Sequence, residues 1–224
     1  MISVAIDGPS GAGKSTIAKA IAQKKNYIYV DTGAMYRAIG LFMVRNGIDI
    51  KDNAKVASKL SEITLNLKYV NGEQRVYLNG DDVSTDIRLP EMSMAASGVS
   101  AIKEVRAFLL DVQRNFAKTS NIIMDGRDIG TVILPNADVK IFLTASSKKR
   151  AERRYKELLE KGIGTSYEEV FSDLIKRDEN DINRPIAPLK QAKDAILVDS
   201  TNLTQQETIN KIISIIGERT ENVL

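Results

Sequence analysis

Neither cysteine nor histidine occurs anywhere in the chain. That excludes disulfides, Cys/His zinc sites, thiolate nucleophiles and imidazole bases. Any chemistry must run on lysine, arginine, carboxylates, backbone amides or a metal held by oxygen. Long apolar runs are also missing, with no stretch approaching the ~20 residues of a membrane span. No basic leader with a cleavage site precedes the first strand-like segment, which follows Met1 directly; together these features predict a cytoplasmic protein. There are no internal repeats and no low-complexity linkers. A strong charge of one sign is absent too: 32 basic residues face 29 acidic ones. Such mild basicity does not describe a protein that coats nucleic acid, and it suits polyphosphate ligands equally well. What remains is a chain of 224 residues, 43% hydrophobic, enough for one well-filled core. The expectation is one domain, residues 1–224, carrying insertions.

Five short apolar or β-branched runs read as buried parallel strands: Ile2 to Ile6, Tyr27 to Val30, Ile122 to Met124, Val139 to Thr144 and Ala195 to Val198. Asp7, Asp31, Asp125 and Asp199 follow four of them. Carboxylates therefore gather at the carboxyl edge of the sheet, where open α/β folds bind ligands. Helical patterns alternate with the strands. Ile102, Val105, Leu109, Val112 and Phe116 make one apolar stripe, with Lys103, Glu104, Asp111 and Arg114 off it. Thr204 and Glu207 form a capping box ahead of Ile209, Ile212, Ile213 and Ile216, with Gly217 placed as the stop. The fold class predicted is α/β: a parallel five-stranded sheet flanked by helices, doubly wound.

Two stretches depart from this rhythm. Leu65, Leu67 and Tyr69 alternate with polar residues, Asn71-Gly72 turns the chain, Val76 and Leu78 alternate again, and Asn79-Gly80 follows. This is a small antiparallel β insertion, placed at residues 63–95. Further on, Lys148-Lys149-Arg150 and Arg153-Arg154 start a basic helix, Gly162 and Gly164 follow, and Ser166 with Glu169 caps a new helix. Basic and hinge-flanked, residues 148–166 read as a helical lid.

The strongest signal is Gly8-Pro9-Ser10-Gly11-Ala12-Gly13-Lys14-Ser15, followed by Thr16, between a strand and the helical run Ile17, Ala18, Ile21, Ala22. This is the P-loop pattern in the context it requires. Glycines let successive N–H groups curl around an anion, and the helix that follows adds its positive N-terminal dipole. Lys14 then reaches the β- and γ-phosphates of ATP, and the Ser15 hydroxyl takes Mg²⁺. Asp125, ending the third run, is placed to hold the hydrated metal; an aspartate at a strand end serves equally as a turn cap. Within Asp125-Gly126-Arg127-Asp128, Arg127 suits a bidentate phosphate clamp, and Asp128 accepts from an amine or hydroxyl.

Asp31-Thr32-Gly33-Ala34-Met35-Tyr36-Arg37 also leaves a strand and enters a helix, putting Arg37 one turn inside a second phosphate-side loop. Arg177, Asp181 and Arg184 share a face if their helix runs up to Pro185. Their spacing fits a surface salt bridge as well as a ligand set, and the neighbouring basic segment favours the ligand set. A phosphate-monoester acceptor has its second pKa near ~6, so its attacking oxygen is anionic without any base. Lack of histidine therefore points to a phosphate acceptor, neutralised by Mg²⁺, Lys14 and arginines under a closing lid.

IDGPSGAGKST at Ile6 to Thr16, DTGAMYR at Asp31 to Arg37, MAAS ending at Ser97, DGRDIGTV at Asp125 to Val132 and RDENDINRPIAP at Arg177 to Pro188 together resemble the bacterial cytidylate kinases. These are P-loop nucleoside monophosphate kinases, and the resemblance covers nearly the whole chain. It implies Mg²⁺-dependent transfer from ATP to CMP or dCMP, a core with an enlarged monophosphate-binding insertion, and a mobile lid. Ser97, Arg106 and Asp128 look like the cytosine-reading set, and Arg37 and Arg127 like monophosphate ligands beside Asp31, Thr32, Gly33 and Tyr36. Arg177, Asp181 and Arg184 resemble the group contacting sugar and phosphates. Lys14, Arg127 and the lid's Arg153 take the catalytic roles. The implied partners are the small-molecule nucleotides alone, with no nucleic acid, no membrane and a monomeric chain. Rival readings are an adenylate, uridylate, thymidylate or shikimate kinase, or a nucleic-acid-dependent ATPase. Neither the thymidylate-kinase DRY pattern, the shikimate-type glycine triplet nor an N-K-x-D guanine-reading string is present.

Overall fold

The structure, a computed structural model, describes residues 1–70 and 73–220. The Asn71-Gly72 turn expected from the sequence lies outside the described residues. In chain order the elements are β1 (Ser3–Asp7), α1 (Lys14–Lys25), β2 (Ile28–Asp31), α2 (Thr32–Arg45), α3 (Asn53–Lys59), β3 (Leu65–Val70), β4 (Glu73–Leu78), β5 (Asp81–Asp82), α4 (Met92–Val99), α5 (Lys103–Thr119), β6 (Ile122–Gly126), β7 (Val139–Thr144), α6 (Ser147–Glu160), α7 (Tyr167–Asn183), β8 (Ile196–Asp199) and α8 (Gln205–Thr220). The backbone clusters into two compact units, one from Val30 to Lys118 and one made of Met1–Tyr29 with the chain from Thr119 onward. The division falls inside β2.

The five expected strands form one parallel sheet in the order β2-β6-β1-β7-β8. Apart from the aspartates at the strand ends and Lys140 of β7, which pairs with Asp194, the runs are uncharged, as a sheet covered by helices requires. Ile17, Ala18, Ile21 and Ala22 of α1 and Ile209, Ile212, Ile215 and Ile216 of α8 close over Val4, Ile6, Ile123, Ile141, Leu143 and Val198. Each such isoleucine or leucine, fully buried, contributes about 1.5–3 kcal/mol.

Helix starts follow the predicted caps. Ser166 and Glu169 exchange side-chain and backbone hydrogen bonds in a full capping box at α7, and Thr204 and Glu207 do the same before α8. Helix α8 does not stop at Gly217. It continues to Thr220, whose buried hydroxyl donates to the Ile216 carbonyl at 2.7 Å. Burial one turn further on outweighs the ~1 kcal/mol propensity penalty of glycine. Helix α7 ends at Asn183, ahead of Pro185, so Arg184 is an extended cap residue and not part of the helical face.

In the Val30–Lys118 unit, β3, β4 and β5 form the antiparallel sheet. Val76, Leu78, Val83 and Ile87 are buried there, as are Met35, Ile39 and Met43 of α2. A Cβ on Gly40 of α2 would stand 2.9 Å from that of Ala95 in α4, so the two helices meet where both residues are small. The stripe predicted on α5 is buried at Val105 and Leu109. Among the described residues no helix is long and apolar enough to cross a membrane.

Candidate active site

Strand β1 delivers Gly8 to Ser15 to the carboxyl edge of the sheet. The Gly8 backbone has φ 151°, and a Cβ there would lie 1.9 Å from the Leu143 carbonyl oxygen, so no other residue fits. Gly13, at φ 86°, starts α1. Lys14 is only 6% exposed, and its Nζ donates to the Pro9 carbonyl at 2.8 Å. Burial, and then the positive charge of Arg127, bring its pKa down to about 7. Asp125, Asp181 and Asp7 favour the ammonium from a distance, but among the described residues no carboxylate pairs with it directly, and a polyphosphate would provide that close anion.

Ser15 Oγ donates to Asp125 Oδ2 at 2.9 Å. Tyr29 donates its hydroxyl to Asp125 Oδ1, also at 2.9 Å, which fixes the carboxylate's rotation. Two hard oxygen donors thus stand together beside the loop. Asp7, which the sequence reading left without a role, is buried one residue before the loop and accepts from the Ile129 and Gly130 amides at 2.7 and 2.8 Å. Burial raises its carboxyl to about 6 even though those two amides lower it. Its effect is to anchor the single π-helical turn, Ile129–Ile133, that follows Asp128.

Beyond β6 a charge network joins the residues expected to bind the acceptor. Arg127 Nε donates to Asp181 Oδ2 at 2.7 Å, and Arg184 donates to Asp128 Oδ1 at 3.0 Å. Arg184 Nε also donates to the Ala187 carbonyl at 2.6 Å, and its NH1 lies 4.0 Å from Asp181. Burial alone would raise the Asp181 carboxyl, but Arg127, then Arg184 and Arg177, hold it below the usual carboxylate range. Burial would likewise lower Arg127, and Asp181 outweighs it.

The arginines of α6 divide. Arg150 is buried and donates to the Ser10 carbonyl at 2.7 Å, which brings it to the phosphate loop. Arg153 is turned elsewhere: its guanidinium donates to the Ser200 hydroxyl and carbonyl at 3.1 and 2.7 Å. Asp199 caps its own turn through Thr201 and takes no part in the cluster.

In the Val30–Lys118 unit, Asp31 caps α2 by accepting from the Ala34 amide at 2.9 Å. Its other oxygen accepts from Arg37 at 3.0 Å and from Arg88 at 2.9 Å. Gln74 of β4 accepts from the Asp31 amide at 3.0 Å. Thr32 is buried, and a Cβ on Gly33 would stand 3.2 Å from both Arg37 and Asp31, so glycine leaves the pair its room. Arg106 sits 5.7 Å from the centre of the Tyr36 ring and donates to the Ser100 carbonyl at 3.2 Å. The Ser97 hydroxyl oxygen is buried with no hydrogen-bond partner among the described residues, as a group awaiting a ligand would be. Arg88 was missed by sequence reasoning, because it sits in a three-residue turn without periodicity.

A family model described as cytidylate kinase matches residues 4–218. Cytidylate kinase of Caldicellulosiruptor bescii is 48% identical over 99% of this chain and 98% of its own length. That of Caldicellulosiruptor saccharolyticus is 50% identical over 96% and 95%, and that of Lactobacillus johnsonii 48% over 99% and 96%. Among solved structures, a gluconokinase from Sinorhizobium meliloti superposes with TM-score 0.51 at 14% identity, covering 99% of this chain and 95% of that one. Shikimate kinase from Bacteroides thetaiotaomicron superposes with TM-score 0.50 at 14% identity, covering 98% of each chain. These structures share the P-loop kinase fold.

Proposed function

The chain belongs to the cytidylate kinase family, and on that premise we propose that it moves the γ-phosphate of ATP onto CMP, and onto dCMP, giving the nucleoside diphosphate. The observation that carries the donor half is Lys14, buried in the phosphate loop with its pKa brought down to about 7 and its ammonium held, among the described residues, by the neutral Pro9 carbonyl and by no carboxylate in direct contact. Ser15 and Asp125 fit the role of Mg²⁺ ligands, since that ion takes only one or two oxygen ligands from the protein when phosphates and water complete its shell. Bound there, the ion would neutralise charge on the donor phosphates.

The acceptor's phosphate arrives as an anion and needs no base. What it needs is positive charge and position, and we assign these to Arg37 and Arg127, with Arg177, Asp181 and Arg184 on sugar and phosphate. Ser97, Arg106 and Asp128 read the cytosine; the buried Ser97 hydroxyl supports this. Asp31, Thr32, Gly33 and Tyr36 shape the acceptor loop. Arg153 is retained as a catalytic candidate only if α6 reorients, because Ser200 holds it here. Residues 63–95 serve as the acceptor insertion and 148–166 as the lid, in a cytoplasmic monomer.

A coupled assay with ATP, Mg²⁺ and each of CMP, dCMP, UMP, AMP and dTMP tests the reading. Fastest turnover of CMP or dCMP supports it; faster turnover of AMP or dTMP overturns it.

A further inference from the structure

Ser10 has both of its main-chain polar groups taken by one buried ion pair. Its amide donates to Asp178 Oδ1 of α7 at 3.0 Å, and its carbonyl accepts from Arg150 of α6 at 2.7 Å. Arg150 donates from the same nitrogen to Asp178 Oδ2 at 2.5 Å, and from Nε to the Ala145 carbonyl at 2.9 Å. All three residues are buried. The next loop residue is gripped from the same side: a Cβ on Gly11, at φ 70°, would stand 3.1 Å from Leu174 of α7 and 3.2 Å from Arg150. Gly8 is meanwhile held against the end of β7. The loop therefore takes its shape from three elements outside its own segment.

A buried ion pair contributes little net stability compared with apolar residues of the same volume, because desolvation offsets the attraction. An apolar pair, however, would offer Ser10 neither an acceptor for its amide nor a donor for its carbonyl. The geometry of the loop, and not the stability of the fold, is what only this charged pair supplies.

We propose that Arg150 and Asp178 are positioning residues for the phosphate-donor site: by clasping Ser10 they set the curl of the loop, so that affinity for MgATP depends on a pair acting through the main chain. The proposal rests on the reading of Gly8 to Ser15 as the donor loop. It also gives the basic start of the lid helix a role apart from contacting phosphate.

The test is calorimetric titration with MgATP, and separately with CMP, alongside thermal melts of the full chain. Arg150→Met and Asp178→Leu singly strand a buried charge and melt lower. Combined, they regain melting temperature but bind MgATP about 10- to 100-fold more weakly, as expected when a supporting shell is lost, and bind CMP as before. Asp178→Asn keeps an acceptor for the Ser10 amide and loses MgATP affinity by a smaller factor, which serves if the double variant does not fold. Parental MgATP affinity in the folded double variant, or in Asp178→Asn, overturns the proposal, as does an equal loss for both nucleotides. A parent chain that binds no MgATP would instead overturn the donor-loop reading on which the proposal stands.

Discussion

Asp128 and Arg184, 56 residues apart in the chain, form an ion pair at 3.0 Å in which each side chain is 4% exposed. The pair ties the turn after β6 to the cap of α7, and Asp181 flanks it while holding Arg127. Four charges that the sequence assigns separately to base, sugar and phosphate form one network.

Removing one member of a buried pair leaves the other charge uncompensated, at a cost of about 3 kcal/mol or more. Asp128→Ala is therefore predicted to lose about 3 kcal/mol in urea unfolding, and to weaken CMP more than MgATP in calorimetry. A variant with parental stability, or with equal losses for both nucleotides, would contradict this.

Lys14 behaves differently, because its burial already disfavours the charge. Lys14→Met is predicted to melt no lower than the parent while transfer falls about 10³-fold. Thermal melts and steady-state turnover check both halves, and a folded variant with parental turnover would refute the assignment.

The lowered pKa of Lys14 has a sign that can be measured. Folded and ligand-free, the group loses its proton near pH 7, whereas its ordinary value is 10.5. Between those values the unfolded chain binds a proton that the folded chain does not, so this residue makes stability rise with pH across that window. Triphosphate favours the ammonium form, so MgATP binding at about pH 8 should take up close to one proton per site, falling toward zero at about pH 6. Binding enthalpies in buffers of different ionisation heat measure the uptake. It should vanish in Lys14→Met, and persistence there would assign the proton to another group.

Asp31 carries the opposite sign. Burial alone would raise its carboxyl, but Arg37 and Arg88 overcome it and hold the pKa below 3.8. Its contribution to stability is present above that ordinary value and is lost as pH falls through the depressed one. Asp31→Asn should accordingly be less stable than the parent at neutral pH, with the gap closing in acid; urea midpoints across the acid range would show it. A pH-independent gap would mean that the carboxylate charge is not what matters.

What the sequence made legible is what local pattern encodes. The strand runs, the phosphate loop and the capping boxes at Ser166 and Thr204 each depend on residues within a few positions of one another, and each stands where the pattern put it. The Gly217 stop was misread because a local rule competes with burial of Thr220, which only the packed α8 reveals. Asp178 on Ser10, Tyr29 on Asp125 and Arg88 on Asp31 bridge 168, 96 and 57 positions, and no periodicity marks them. Motifs named the groups we assign to ligand, whereas the groups that hold those in place are chosen by the fold.

The most direct measurement uses ATP labelled at its γ-phosphorus, incubated with CMP and Mg²⁺. The label should appear in CDP, in step with ADP formation. Label released as inorganic phosphate without CDP, or carried faster onto AMP or dTMP than onto CMP, would contradict assignment of this site to cytidylate phosphorylation.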